Sequence, residues 1–210
     1  MIDPTQKQGD ATRFGGVGDV ISFWDAVRQG QTKRQALKVG DPGVGAPSLG
    51  TVSSTNSYGI AVPTQYLQQN FGSDPANWRT ARGTLTVGDQ TVTVPFIDIG
   101  PSKAQQKSGV VVDVSQPLSD ALGGFDRTQA SVKLLPKAGP DPIEDSDAWY
   151  KEQQQIAQRL NVPGVGAEPS PTPLGSTEPS MTQKILNIAN LQSANVSPED
   201  VRKALQALSS

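Results

Sequence analysis

No Cys and no His occur in the 210 residues, and that absence decides which chemistry the chain can do. Disulfides, thiolate nucleophiles and zinc–sulfur sites are excluded. So are Ser-His-Asp and Cys-His arrangements, imidazole metal ligands and the usual general base near neutral pH. Carboxylates, Lys, Tyr and Ser remain. The Gly-rich pieces Gly15-Gly16-Val17-Gly18 and Gly43-Val44-Gly45 do not run on into the Gly-Lys-Ser/Thr or strand–helix context of a phosphate loop. No segment has metal-ligand spacing, so neither a metal nor another cofactor is expected. Lys103 and Lys107 have two readings, as contacts for an anionic ligand or as part of a solvated loop. Trp24, Trp78 and Trp149 are open to packing or interface roles and to sugar stacking.

The elements that must position these groups are short. Hydrophobic residues make up 35% of the chain, and 21 Gly with 17 Pro favour turn-rich β structure joined by extended connectors. Residues 1–33 read as a loose arm followed by a helix capped by Asp19, with Val20, Phe23, Trp24 and Val27 at helical spacing and Gly30 as its stop. From Ala36 to Leu135 the pattern is that of short strands: Ala36–Val39, Gly59–Val62, Gly83–Val87, Thr91–Val94, Gly109–Val114 and Ala130–Leu135. A long turn-rich loop from Gly40 to Tyr58, a helical turn Thr64–Phe71 and a helix after Ser115 separate them. Gly88-Asp89-Gln90 is expected to be a three-residue hairpin loop. Residues 137–180 read as a Pro/Gly-rich linker with one polar helix near Asp145–Leu160, and 181–210 as a helical docking element.

Two segments carry a family resemblance: Val94-Pro95-Phe96-Ile97-Asp98-Ile99-Gly100-Pro101, and Gly109-Val110-Val111-Val112-Asp113-Val114-Ser115 with Ala121-Leu122-Gly123 behind it. Together they resemble the signature of expansins and rare lipoprotein A. Gly59-Ile60-Ala61-Val62-Pro63 looks like that family's next upstream strand, and Leu37-Lys38-Val39-Gly40-Asp41 like its opening strand. The resemblance implies a mainly β fold for residues 34–136, a small six-stranded double-psi β-barrel with flanking helices and extended linker segments. It also implies that Asp113 is the acid in an open groove, with Asp98 lining the same groove. A carboxyl on a Val-rich, partly desolvated strand would have a raised pKa and could protonate a glycosidic oxygen while a second carboxylate activates water. Tyr58 and Trp78 are the sugar-stacking candidates. The alternative for both Asp residues is structural: they accept hydrogen bonds from backbone N–H groups in crossing loops or, for Asp113, from the helix start behind it.

With net charge −2 and no dense Lys/Arg cluster, nucleic-acid binding is not expected. No apolar run reaches membrane-spanning length, and Met1-Ile2-Asp3-Pro4-Thr5-Gln6 lacks a signal-peptide layout, so a soluble protein made without Sec export is expected. Of two functions, the first is the expected one and the second its alternative. One is a structural component of a large assembly, with a bacteriophage virion as the expected setting and a cytoplasmic protein as the alternative, whose N-terminal arm and C-terminal helices reach neighbouring subunits. The other is a module that binds or cleaves peptidoglycan. Whether the chain is an enzyme is left open.

Overall fold

Short Val- and Thr-rich runs expose unpaired edges unless they close on one another. The computed structural model describes residues 5–162, in which six strands form a closed barrel ordered β1-β5-β2-β4-β3-β6. The strands are β1 Gln6–Phe14, β2 Ile60–Ala61, β3 Arg82–Val87, β4 Gln90–Asp98, β5 Val110–Ser115 and β6 Arg127–Leu135. Pairs β1·β5 and β2·β4 are parallel, and the other four are antiparallel. Exchanging the first three strands for the last three leaves the order unchanged, the pseudo-twofold layout of a double-psi barrel. Val62, Leu85, Val94, Phe96, Val112 and Val132 belong to its continuous core.

The opening strand differs from the sequence reading. Ala36–Val39 is not a strand: Thr32 caps the short helix α2, Lys33–Ala36, and the chain then turns. The strand that completes the barrel is β1, from the segment read as a loose arm. Only Ala11 of β1 is fully buried, so no apolar alternation marks it in the sequence. Its neighbours β5 and β6 lie about 100 residues away or more, and their pairing alone makes it a strand.

Helix α1, Val17–Arg28, buries Phe23 and Ala26 against Ala36 of α2. Asp19 lies inside its first turn rather than at the cap, and its carboxylate accepts from Gly16 N–H at 3.2 Å. Helices α3, Thr64–Phe71, and α4, Pro75–Thr80, cross between β2 and β3. The β3–β4 hairpin is tighter than expected: Val87 pairs with Gln90, leaving Gly88-Asp89 as a two-residue loop with Gly88 at φ +59°. A non-glycine residue would be disfavoured there. Helices α5, Lys103–Lys107, and α6, Gln116–Ala121, flank β5. Ser115 precedes α6 without capping it; its hydroxyl donates to Ser57 O and accepts from Gly59 N–H, pinning β2's approach to β5.

Helix α7, Ser146–Arg159, is the polar helix placed by sequence in a linker, yet it packs on the barrel through Trp149, Gln153, Ile156 and Ala157. Its Glu152 pairs with Arg82, whose side chain is fully buried. The rest of the expected linker and the C-terminal helical element, from residue 163 on, lie outside the described residues. Among the described residues no helix is long and apolar enough to cross a membrane.

Candidate functional site

The floor of the site follows from register. Ala61 of β2 pairs with Asp98 of β4 on one side and Asp113 of β5 on the other. Residues paired across a sheet share a face, so both carboxyls rise from the same side with a methyl group between them. Two strand spacings put their backbones about 9–10 Å apart. Both residues line an open groove of about 620 Å³, together with Ala61, Gly100 and Asp41.

Each carboxyl is held differently. Asp113 accepts from the hydroxyl of Thr12, its register partner on β1. Asp98 accepts from the N–H of Ile99 at 2.7 Å. Asp98 thus takes a backbone hydrogen bond from its own following residue, whereas Asp113 is held by a side chain. Gly100 packs directly on Asp113, where a Cβ would run into the carboxyl oxygen. Asp41 joins from the long loop, its carboxylate accepting from Gly43 N–H at 2.7 Å and Ser54 Oγ at 2.8 Å. That loop packs directly on β4 at Gly45, where a Cβ would collide with Ile97 O.

Burial is the main electrostatic fact. It pushes Asp98 up to about 7, helped by the like charges of Asp41 and Asp113 and opposed by the N–H groups of Ile99 and Ala46. It pushes Asp113 up to about 6, against the stabilising hydroxyl of Thr12. Asp41 is likewise raised by burial, with Gly43, Ser54 and Asp19 as the smaller influences. Both carboxyls therefore keep part of their protons well above the ordinary carboxylate range, and they titrate as a pair.

The remaining candidates separate. Trp78 is 5% exposed in the barrel core, its indole N–H donating to Gly72 O at 2.8 Å, and it does not reach the groove. A sugar platform needs an exposed ring face, so that role is withdrawn. Tyr58 is half-buried against the core with its N–H bonded to Gln153 Oε1, and it too lies off the groove lining. Trp149 is buried, and Trp24 donates to Pro42 O at 3.2 Å. Lys103 lines the groove and Lys107 does not.

Sequence reasoning missed Thr12, Asp41 and Gly100 as parts of the site. Thr12 sits on the unrecognised strand and gave no signal. Asp41-Pro42-Gly43 did give one, since Asp before Pro-Gly marks a turn in which the carboxylate binds the N–H two residues on. Among the described residues no group of three or more His, Cys, Asp or Glu could hold a metal ion.

No family model matches the sequence, and no curated protein matches it. Among solved structures, the Streptomyces papain inhibitor is similar over 62% of this chain and 94% of its own, at 17% identity and a TM-score of 0.39.

Proposed function

We propose that the chain is a glycan-directed module of the expansin and rare lipoprotein A type, which binds peptidoglycan strands in the barrel groove and cleaves them by acid–base chemistry. The observation that carries this reading is the placement of Asp98 and Asp113 on either side of Ala61 in one open groove. Burial leaves the pair sharing a proton in the range where a glycosidic oxygen needs one. In this mechanism Asp98 gives its proton to the glycosidic oxygen as the bond from the anomeric carbon to that oxygen breaks. Asp113, ionised and held by Thr12, takes a proton from water whose oxygen adds to the anomeric carbon. One proton leaves the pair and one returns, so the two residues exchange protonation states over a turnover. The sequence reading made Asp113 the acid; the Thr12 hydroxyl favours its ionised form, so Asp98 takes that role in this proposal.

The test is the full chain incubated with isolated peptidoglycan, measuring pelleting and released fragments for wild type, Asp98→Asn and Asp113→Asn. Release by wild type, and its loss in both variants with folding intact, supports the reading. If wild type neither binds nor releases, the reading fails.

A second reading, a component of a bacteriophage particle, draws on Val17 and Ile21, which α1 leaves 62% and 47% exposed although its other face is packed. Because β1 is built into the barrel, Gln6–Phe14 does not serve as a free arm in that reading. Co-purification of the chain with phage particles would support it, and consistent absence from them would remove it. A particle-borne module acting on the wall would satisfy both readings.

A further inference from the structure

The long loop from Gly40 to Tyr58 brings a third carboxyl into the groove and is built to hold it there. Asp41 lines the groove with Asp98 and Asp113. Gly43 N–H and Ser54 Oγ both donate to its carboxylate, at 2.7 and 2.8 Å, which fixes its direction and favours its ionised form. Ser54 is fully buried and its own N–H donates to Gly43 O, so the loop closes on itself beside Asp41. Two residues beyond Gly43, Gly45 packs on Ile97 O, one residue before Asp98, and Ala46 N–H bonds Asp98. The same loop thus supplies Asp98 with a hydrogen-bond donor and a negative neighbour.

The charges around the acid are mostly of its own sign. After burial, Asp41 is the larger like-charge influence on Asp98, ahead of Asp113 from β5, and Asp19 on α1 adds to the effect of burial on Asp41. Arg13, Lys38 and Lys103 are the cations lining the groove. Arg13 is paired with Asp126, and among the described residues no ion pair joins either lysine to Asp41 or Asp98.

Resting on the glycan-cleaving reading above, we infer that Asp41 is a positioning residue for the acid: its fixed negative charge keeps the proton on Asp98 until the glycosidic oxygen takes it. An ionised neighbour disfavours a second charge close by, so Asp98 stays loaded at a pH where an isolated carboxyl has already lost its proton to solvent. Asp41 acts through Asp98 and gives up no proton itself. An aspartate before Pro-Gly also shapes a turn by accepting from the N–H two residues on, but that role needs an acceptor and no charge. Asparagine supplies the acceptor, so Asp41→Asn separates the two roles.

The test follows the side-chain carboxyl carbons of the full chain by NMR across pH for wild type and Asp41→Asn, with thermal unfolding as the folding control. The pH profile of fragment release from peptidoglycan is measured for the same two proteins. In Asp41→Asn the Asp98 midpoint is expected to fall by about 0.5 pH unit or more, and the alkaline limb of the release profile to move down with it. In wild type alone, the Asp41 resonance is expected to show an inflection at the Asp98 midpoint, because coupled carboxyls report each other's titration, and this holds whether or not the variant folds. An Asp98 midpoint unmoved in folded Asp41→Asn, or an Asp41 resonance that ignores Asp98, would overturn the inference. A midpoint that falls while wild type releases nothing would overturn the glycan reading, and with it the use made of the proton, but not the hold that Asp41 has on it.

Discussion

Asp98 and Asp113 should make stability depend on pH in a direction opposite to that of a salt-bridged carboxylate. Their folded pKa values, about 7 and about 6, lie above the reference value of 3.8. The folded state therefore holds these protons more tightly than the unfolded chain. Their contribution is fully present below the unfolded value and is lost as pH rises through about 6 and then about 7. Asp98→Asn removes this loss for one of them, so its stability relative to wild type should increase by about 1–3 kcal/mol between pH 5 and 8, read by chemical denaturation at each pH. At Thr12, replacement by Val removes the hydroxyl that favours ionised Asp113. The Asp113 carboxyl should then titrate at still higher pH, which carbon-detected NMR would register, and stability at neutral pH should fall by about 1 kcal/mol. Gly100→Ala tests position rather than charge. The added methyl meets the movable end of Asp113, so the barrel should remain folded while, under the proposed glycan-cleaving function, fragment release falls about 10-fold or more. Unaltered release by this variant would separate Asp113 from the chemistry.

At the scale of elements, α7 is the clearest case of a segment whose role depends on a distant partner. Its sequence is polar enough to read as a linker helix. It docks because Arg82, fully buried at the start of β3, donates two hydrogen bonds to Glu152, at 2.8 and 2.7 Å, and others to the carbonyls of Arg79, Ala81 and Pro140. Gln153 meanwhile bonds the main chain of Tyr58 from both its amide atoms, at 2.7 and 3.3 Å. Glu152→Ala would leave the Arg82 charge buried with carbonyls alone. It is expected to cost about 2–4 kcal/mol, measured by urea denaturation, whereas Glu152→Gln should cost less because it keeps an acceptor. The elements that were legible, from Gly59–Val62 through the hairpin to Ala130–Leu135, advertise themselves by Val and Thr runs between Gly and Pro. Ala36–Val39 carries a similar local pattern and still folds as a helix end and turn, because the place in the barrel goes to β1.

For the whole molecule, closure is the decisive fact, since β1 is bonded to β5 on one side and β6 on the other. Deleting residues 1–15 should open the barrel, remove Thr12 from Asp113 and abolish cooperative unfolding in a thermal melt, whereas a loose arm would be dispensable. The sequence by itself determined the chemical repertoire, through the absence of Cys and His, and most of the strand set, because period-2 apolar patterns and Gly/Pro turns are local signals. It also pointed to Asp98 and Asp113, through the two segments that resemble the expansin signature. Only the tertiary structure decided that these carboxyls flank Ala61, that Thr12, Asp41 and Gly100 attend them, and that Trp78 belongs to the core. Register across closed strands, burial and like-charge proximity are properties of residues far apart in the chain, and no local pattern encodes them.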